Sequence, residues 1–372
     1  MPTNATNQGI TWTSSKTSVA TVDTNGLVTA VAVGTATISA TSKADSTKKA
    51  TCNITVTEQT KDAWTILMYI CGADLESESG LASGDIEEIL SVSGQPKDVN
   101  IVIQTGGASS WSRYYNYGIS SSANQRYHVE NNDLICDNSK VYSSYKSMGL
   151  SSTLADFVGW GMKEYPADKT GIIFWNHGGG MRGVCYDEKK DDDSLLNSEI
   201  KSGITSGFSK AGLPSDTKLE FVGFDACLMQ VQDIADYASS YANYMVASEE
   251  SESGYGWDYD NWVDDLYAKK STDTILKAIC DSFIAENGGV SSNKNDQTLS
   301  YLNLAYAQEY KTAWENMTTA LTTKLGSTSS STFISWVGKN VKHYADTDYN
   351  YYHLFDAKDF INKFFNFIFI LL

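Results

Sequence analysis

Gly171-Ile172-Ile173-Phe174-Trp175-Asn176-His177-Gly178-Gly179-Gly180 is an apolar run that breaks off into a histidine and three glycines. A second run of the same build, Leu219-Glu220-Phe221-Val222-Gly223-Phe224-Asp225-Ala226-Cys227-Leu228-Met229, breaks off at a cysteine. A short apolar run ending in a polar residue is the pattern of a central parallel strand that delivers a side chain to the carboxyl edge of its sheet. Two such strands bring an imidazole and a thiol to one edge, where open α/β sheets take their ligands. A thiol beside an imidazole is the chemistry of a cysteine nucleophile.

Outward from these runs, strands and helices alternate. Strands are predicted over 64–71, 100–104, 171–176, 219–224 and 244–247. Helices are predicted near 80–92, 151–164, 197–211, 228–240, 272–286 and 305–324. Such alternation makes a mostly parallel sheet with helices on both faces. One more strand is expected at 299–304. An aromatic insert at about 108–136 holds Trp111, Tyr114, Tyr115, Tyr117 and Tyr127. It reads as a β-hairpin along the sheet, with a carbohydrate or peptide platform as the alternative.

Residues 1–58 have another texture. Short alternating runs such as Ile10-Thr11-Trp12-Thr13 and Thr35-Ala36-Thr37-Ile38-Ser39-Ala40 are separated by turn residues, Asn25-Gly26 among them. Asn-Gly between alternating runs is a hairpin signal, and the whole predicts an all-β sandwich. The organisation expected is a β-sandwich at 1–58, a polar linker at 59–62, an α/β domain at 63–290 and a terminal strand-and-helix subdomain at 291–372.

The chain has 372 residues and carries 45 acidic against 28 basic side chains, a formal charge of −17. That charge argues against nucleic acid or an anionic membrane as the main partner and attracts cationic substrates. No stretch is long and apolar enough to span a bilayer. The apolar residues 364–372 are too few to do so and are expected to form a terminal strand or the end of a truncated chain. Six cysteines (Cys52, Cys71, Cys136, Cys185, Cys227 and Cys280) include no CxxC pair, so no zinc site is expected.

Of four histidines, only His177 ends an apolar strand and is followed by glycines, which let the backbone approach a ligand and offer N–H donors to an oxyanion. Cys227 sits between a strand and a helix expected to begin at Leu228. A helix amino terminus there would lower the thiol pKa. Cysteine follows histidine by fifty positions, the order and spacing of caspases.

The segments WTILMYICGADLE, NIVIQTGGASSW, GIIFWNHGGGMRGVCYDE, FVGFDACLMQ and VASEESESGYGWDY resemble, in order, the clostripain family of cysteine peptidases. The stretch ITWTSSKTSVATVDTNGLVTAVAVGTATISA resembles the bacterial Ig-like domain, group 2, whose first strand would lie before Met1. The chain is therefore expected to be cut at its amino end, which would account for the lack of a signal peptide. The first resemblance implies a caspase-like three-layer α/β/α sandwich in a secreted or cell-surface bacterial protein that cleaves protein or peptide substrates after Arg or Lys. It implies Cys227 as nucleophile, His177 as proton donor to the leaving amine, and the backbone N–H groups of Gly178 and Cys227 as the oxyanion hole.

A cationic side chain needs a carboxylate. Asp225 matches the family's acidic pocket residue, and its alternative role is to cap the helix expected at Leu228. Glu249, Glu250 and Asp258 are further candidates for the pocket wall. Caspase-like enzymes are often cut between histidine and cysteine, which makes Lys189, Lys190 and Arg182 candidate self-cleavage positions. No cofactor is required. Some relatives are calcium-activated, which leaves calcium open as an activator bound at Asp191, Asp192 and Asp193, but these lack the alternating spacing of a calcium loop and read first as an exposed acidic turn. The Ig-like module is expected to serve as a spacer or to contact the cell wall or surface. Two other readings stay open: a surface binding protein on a relic fold, disfavoured by the presence of both His177 and Cys227, and an acyl hydrolase or transpeptidase using the same dyad.

Overall fold

The structure is a computed structural model that describes residues 9–57, 60–290, 297–325, 330–344 and 355–363. The chain divides into two units, Met1–Thr60 and Lys61–Leu372.

The first unit contains β1 (Ile10–Ser14), β2 (Ala20–Val22), β3 (Val28–Ala30), β4 (Gly34–Ser42) and β5 (Lys49–Val56). β4 pairs antiparallel with β1 on one side and β5 on the other, while β2 and β3 form a separate hairpin. Asp23 caps the hairpin turn by accepting the N–H groups of Asn25 and Leu27, each at 2.8 Å. A small core of Val19, Ala20 and Ala36 holds the unit, with Val28, Ile54 and Val56 packed against it.

The second unit runs β6 (Asp62–Cys71), α1 (Ala73–Ser79), α2 (Leu81–Ser91), β7 (Val99–Gly106), β8 (Gln125–Glu130), β9 (Asp133–Asn138), α3 (Ser151–Glu164), β10 (Ala167–Trp175), β11 (Val184–Asp187), β12 (Asp193–Leu195), α4 (Asn197–Lys210), β13 (Leu219–Asp225), α5 (Gln232–Ser239), β14 (Ala242–Ala247), α6 (Tyr259–Tyr267), α7 (Thr272–Val290), β15 (Ser300–Asn303), α8 (Ala307–Leu325) and α9 (Ser330–Asn340). Eight strands form one sheet in the order β15-β14-β13-β10-β6-β7-β8-β9. The five central strands are parallel, and the three outer ones, β15, β8 and β9, are antiparallel to their neighbours.

Alternation along the strands builds both faces. Leu67, Tyr69, Ile172, Phe174, Val222 and Phe224 pack with Phe157, Ile200, Ile204 and Ile234 from α3, α4 and α5. Ile66, Met68, Ile70, Ile173, Trp175 and Phe221 pack with Ile86, Ile89, Trp262, Val263 and Ile275 from α2, α6 and α7. Fully burying one such side chain contributes about 1.5–3 kcal/mol, which makes these layers the main source of stability. The result is the three-layer α/β/α sandwich, with the ends of β6, β10 and β13 adjacent at the middle of one edge.

Several expectations change. The helix expected from Leu228 begins at Gln232. The N–H groups of Leu228 and Gln230 donate instead to Glu250 O (3.0 Å) and Ser248 O (2.8 Å), so tertiary pairing takes the donors and keeps 226–231 a turn. The hairpin expected over 108–136 occupies only the second half of that insert, as β8 and β9. Three helices, α1, α6 and α9, join the six whose positions were predicted. Residues 364–372 and His353 lie outside the described residues.

Candidate active site

β10 lies between β6 and β13 with Trp175 level with both Ile70 and Asp225. The residues that follow therefore leave the sheet side by side: Gly72 to Asp74 after β6, Asn176 to Gly178 after β10, and Ala226 and Cys227 after β13. Asn176 ties them together. It is buried; its Nδ2 donates to Cys71 O at 2.7 Å, its Oδ1 accepts Tyr186 N–H at 2.7 Å, and its own N–H donates to Asp225 O at 3.3 Å.

This register places His177 level with Cys227. At the next position a Cβ on Gly178 would stand 2.1 Å from Cys227 O and 3.0 Å from Cys227 N. Only glycine lets the two backbones meet so closely. The imidazole of His177 sits 2.9 Å, through Nε2, from Asp74 Oδ1.

Cys227 is partly buried, and its Sγ accepts the N–H of Glu252 at 3.2 Å. Burial, with the Glu252 carboxylate adding to it, pushes the thiol up to about 11. This reverses the lowering expected from a helix amino terminus, because α5 starts five residues farther on.

Asp225, also buried, points into an acidic well. Its Oδ2 accepts Tyr259 Oη–H at 2.8 Å and Trp257 N–H at 3.2 Å. Asp85 of α2 is buried there too and accepts the indole N–H of Trp175 at 2.5 Å. A Cβ on Gly256 would lie 2.8 Å from Asp85 Oδ2 and 3.1 Å from Asp225 Oδ2, so both carboxylates flank one point of backbone. Glu88 accepts Tyr259 N–H at 2.9 Å, and the Glu252 carboxyl oxygens are buried nearby. Burial pushes Asp225 up to about 6 and Glu88 to about 7. It drives Asp85 and Glu252 well above the carboxylate range, with Asp225 adding to both. Among the described residues no ion pair reaches any of the four. Such a group of carboxylates holds protons until a cation replaces them.

The other candidates fall elsewhere. Glu249 Oε1 accepts Ser300 Oγ–H at 3.1 Å, facing β15 rather than the well. Glu250 contributes its carbonyl to Leu228. Asp258 stands at the start of α6 and accepts Asn261 Nδ2 at 2.7 Å. Asp191 and Asp192 occupy an exposed turn with φ of 55° and 58°, leading into Asp193 at the start of β12. Among the described residues no group of His, Cys, Asp and Glu is arranged to hold a metal ion. In the aromatic insert, Tyr115 and Tyr117 stack beside a hollow of about 340 Å³ lined by Ser83, Trp111 and Arg113.

Residues 68–369 match the model of the clostripain family, and residues 1–61 match the bacterial Ig-like domain (group 2). The chain belongs to the clostripain family. It is 25% identical to clostripain of Hathewaya histolytica, an alignment covering 81% of this chain and 66% of that relative, so the chain spans just under two thirds of the relative's length. A secreted C11 cysteine protease from Bacteroides thetaiotaomicron, solved with an irreversible peptide inhibitor, superposes with a TM-score of 0.51 at 20% identity over 66% of this chain and 67% of the other. The structure called iotapain, from the same organism, gives 0.59 at 16% identity over 82% and 81%. These similarities show the shared fold.

Four side chains of the site went unassigned in the sequence: Asp74, Asn176 and Glu252 inside the family motifs, and Asp85 outside them. Asp85 had a legible signal. It lies on the same helix stripe as Ala82 and Ile89, where an acid interrupts an otherwise apolar face. Nothing comparable marks Asp74, Asn176 or Glu252, whose neighbours come from distant segments.

Proposed function

We propose that this chain is a secreted or cell-surface cysteine endopeptidase that cleaves after Arg or Lys. One observation carries the reading: a thiol and an imidazole leave adjacent parallel strands, and two residues before the thiol a buried aspartate joins a group of carboxylates that no ion pair among the described residues reaches. An arginine or lysine side chain would supply a cation, while an acidic or amide side chain would not. Family membership and the secreted bacterial proteases of the same fold support the same reading. Among the described residues no helix is long and apolar enough to cross a membrane.

In the reaction, Cys227 Sγ bonds to the scissile carbonyl carbon while the backbone N–H groups of Gly178 and Cys227 hold the oxyanion. His177 takes the thiol proton and passes it to the leaving amine as the C–N bond breaks. Water then hydrolyses the thioester. With the resting thiol raised to about 11, its ionisation belongs to the substrate-bound state. The chemistry needs no cofactor. The same activity would cut the chain itself between His177 and Cys227.

The test is a panel of fluorogenic amides ending in Arg, Lys, Asp and Asn, run with and without a calcium chelator. Hydrolysis of the Arg and Lys members alone, unaffected by the chelator and lost in Cys227→Ala, is the expected result. Asp225→Asn is expected to lower kcat/KM for them by about a hundredfold, the usual cost of unpairing a buried charge contact. Equal hydrolysis of the four amides would overturn the specificity, and undiminished hydrolysis by Cys227→Ala would overturn the mechanism.

A further inference from the structure

We infer that Asp74 is a positioning residue that holds the His177 imidazole, through Nε2, in the orientation and tautomer that acylation requires. This rests on the peptidase reading above and adds a third side chain to it. The contact is direct, at 2.9 Å between His177 Nε2 and Asp74 Oδ1. An ionised carboxylate only accepts, so the imidazole proton resides on Nε2 in this contact. The lone pair is then on Nδ1, which makes no hydrogen bond among the described residues. Nδ1 is thus the nitrogen left to take the thiol proton and hand it to the leaving amine.

The backbone that carries Asp74 is built for one position. Gly72 N–H donates to Gly106 O at 2.8 Å, and a Cβ on Gly72 would stand 2.8 Å from Glu76 Cβ. Ala73 follows with φ of 44°, a left-handed conformation that non-glycine residues rarely adopt. On the other side, the Asn176 clamp to Cys71 O fixes the β10 exit against the β6 exit. Both ends of the Asp74–His177 contact are therefore set by the sheet edge. The pair itself is about half exposed, with His177 44% and Asp74 51% accessible, so its geometry is set by the backbone on either side and not by burial.

During acylation the Sγ–C bond forms, the C–N bond breaks, and the thiol proton travels by way of His177 to the amine. An amide nitrogen must be protonated to leave, whereas a p-nitrophenoxide leaves unprotonated. Both substrates need His177 to take the thiol proton, but only the amide also needs that proton delivered to the leaving atom, so a positioning role lowers the amide value more than the ester value and a structural one lowers both alike.

The experiment compares kcat/KM, which reports acylation, for a lysyl amide and the matching lysyl p-nitrophenyl ester in wild type, Asp74→Asn and Asp74→Ala. For Asp74→Ala the amide value is expected to fall about tenfold to a hundredfold, part of the usual general acid–base contribution, and the ester value to fall by a clearly smaller factor. Asp74→Asn keeps an acceptor for Nε2–H without its charge and is expected to fall between the two. An unchanged amide value in Asp74→Ala, or amide and ester values that fall together in both variants, would overturn the inference. Wild-type protein that hydrolyses neither substrate would instead remove the peptidase reading itself. Circular dichroism and thermal unfolding of each variant confirm that it is folded before its values are compared, so that poor folding does not pass for an equal fall of both.

Discussion

At Gly178 a single methyl group has nowhere to go. The position it would take lies 2.1 Å from Cys227 O, against main chain that cannot swing aside. Gly178→Ala is therefore expected to force the His177 and Cys227 loops apart. The strain costs about 1–3 kcal/mol of stability, typical of overpacking, and a shift of about 1 Å between reacting groups costs about a hundredfold in kcat/KM. Thermal unfolding and amide hydrolysis measure the two effects. A Gly178→Ala protein of wild-type activity would mean that the backbone contact is not needed. At this scale the placement of His177, Cys227 and Asp225 at one sheet edge was legible, since each ends or follows an apolar run. Asp74 and Asn176 were not, because a short polar residue after a strand looks the same whether or not a distant loop comes to meet it.

Among the elements, the β11–β12 hairpin carries two of the three candidate self-cleavage positions, Arg182 standing just before it, and holds those two unequally. Lys189 is half-buried, its N–H donating to Asp187 Oδ1 at 3.0 Å and its ammonium lying 3.9 Å over the Tyr145 ring. The buried Asp187 in turn accepts Tyr145 Oη–H at 2.5 Å and Met148 N–H at 2.8 Å. Lys190 is exposed and leads straight into Asp191 and Asp192, both left-handed. Aspartate is among the few residues besides glycine that visit this conformation, so the turn presents the Lys190–Asp191 bond at the surface without much strain. Self-cleavage is thus expected after Lys190. Lys190→Ala should suppress it and Lys189→Ala should leave it intact, as mass spectrometry of purified protein would register, with Cys227→Ala as the uncut reference. A cut after Lys189 alone would show that exposure does not choose the bond. The strands and longer helices of the sheet followed from their periodicity. The start of α5 did not, because its expected first turn pairs with the loop after β14 instead.

Across the whole molecule, the acidic well links folding to pH. A carboxyl whose folded pKa exceeds its unfolded value of about 4 favours the folded state fully below that value, and the advantage disappears as pH rises through the folded pKa. For Asp225 at about 6 and Glu88 at about 7 the loss falls between roughly pH 4 and 7. Asp85 and Glu252, raised farther, extend it upward. The melting temperature is expected to decline from pH 5 to pH 8 and to decline less in Glu88→Gln. An alkylguanidinium ion is expected to raise it more at pH 8 than at pH 5, because only the ionised well gains from a cation. Calorimetry across that range decides it, and a pH dependence unaltered in Glu88→Gln would exclude Glu88 as a contributor.

The sequence by itself determined the layers, the alternation of elements and the two runs that carry histidine and cysteine to one edge. Those follow from local periodicity, which hydrophobic burial enforces wherever the chain goes. Only the tertiary structure decided which polar groups meet at that edge. Asp74 reaches His177, Asp85 joins Asp225, and Glu252 N–H rests on the thiol, all through contacts between segments far apart in the chain. Their protonation is likewise tertiary, because it depends on how much water the packed loops exclude from each group.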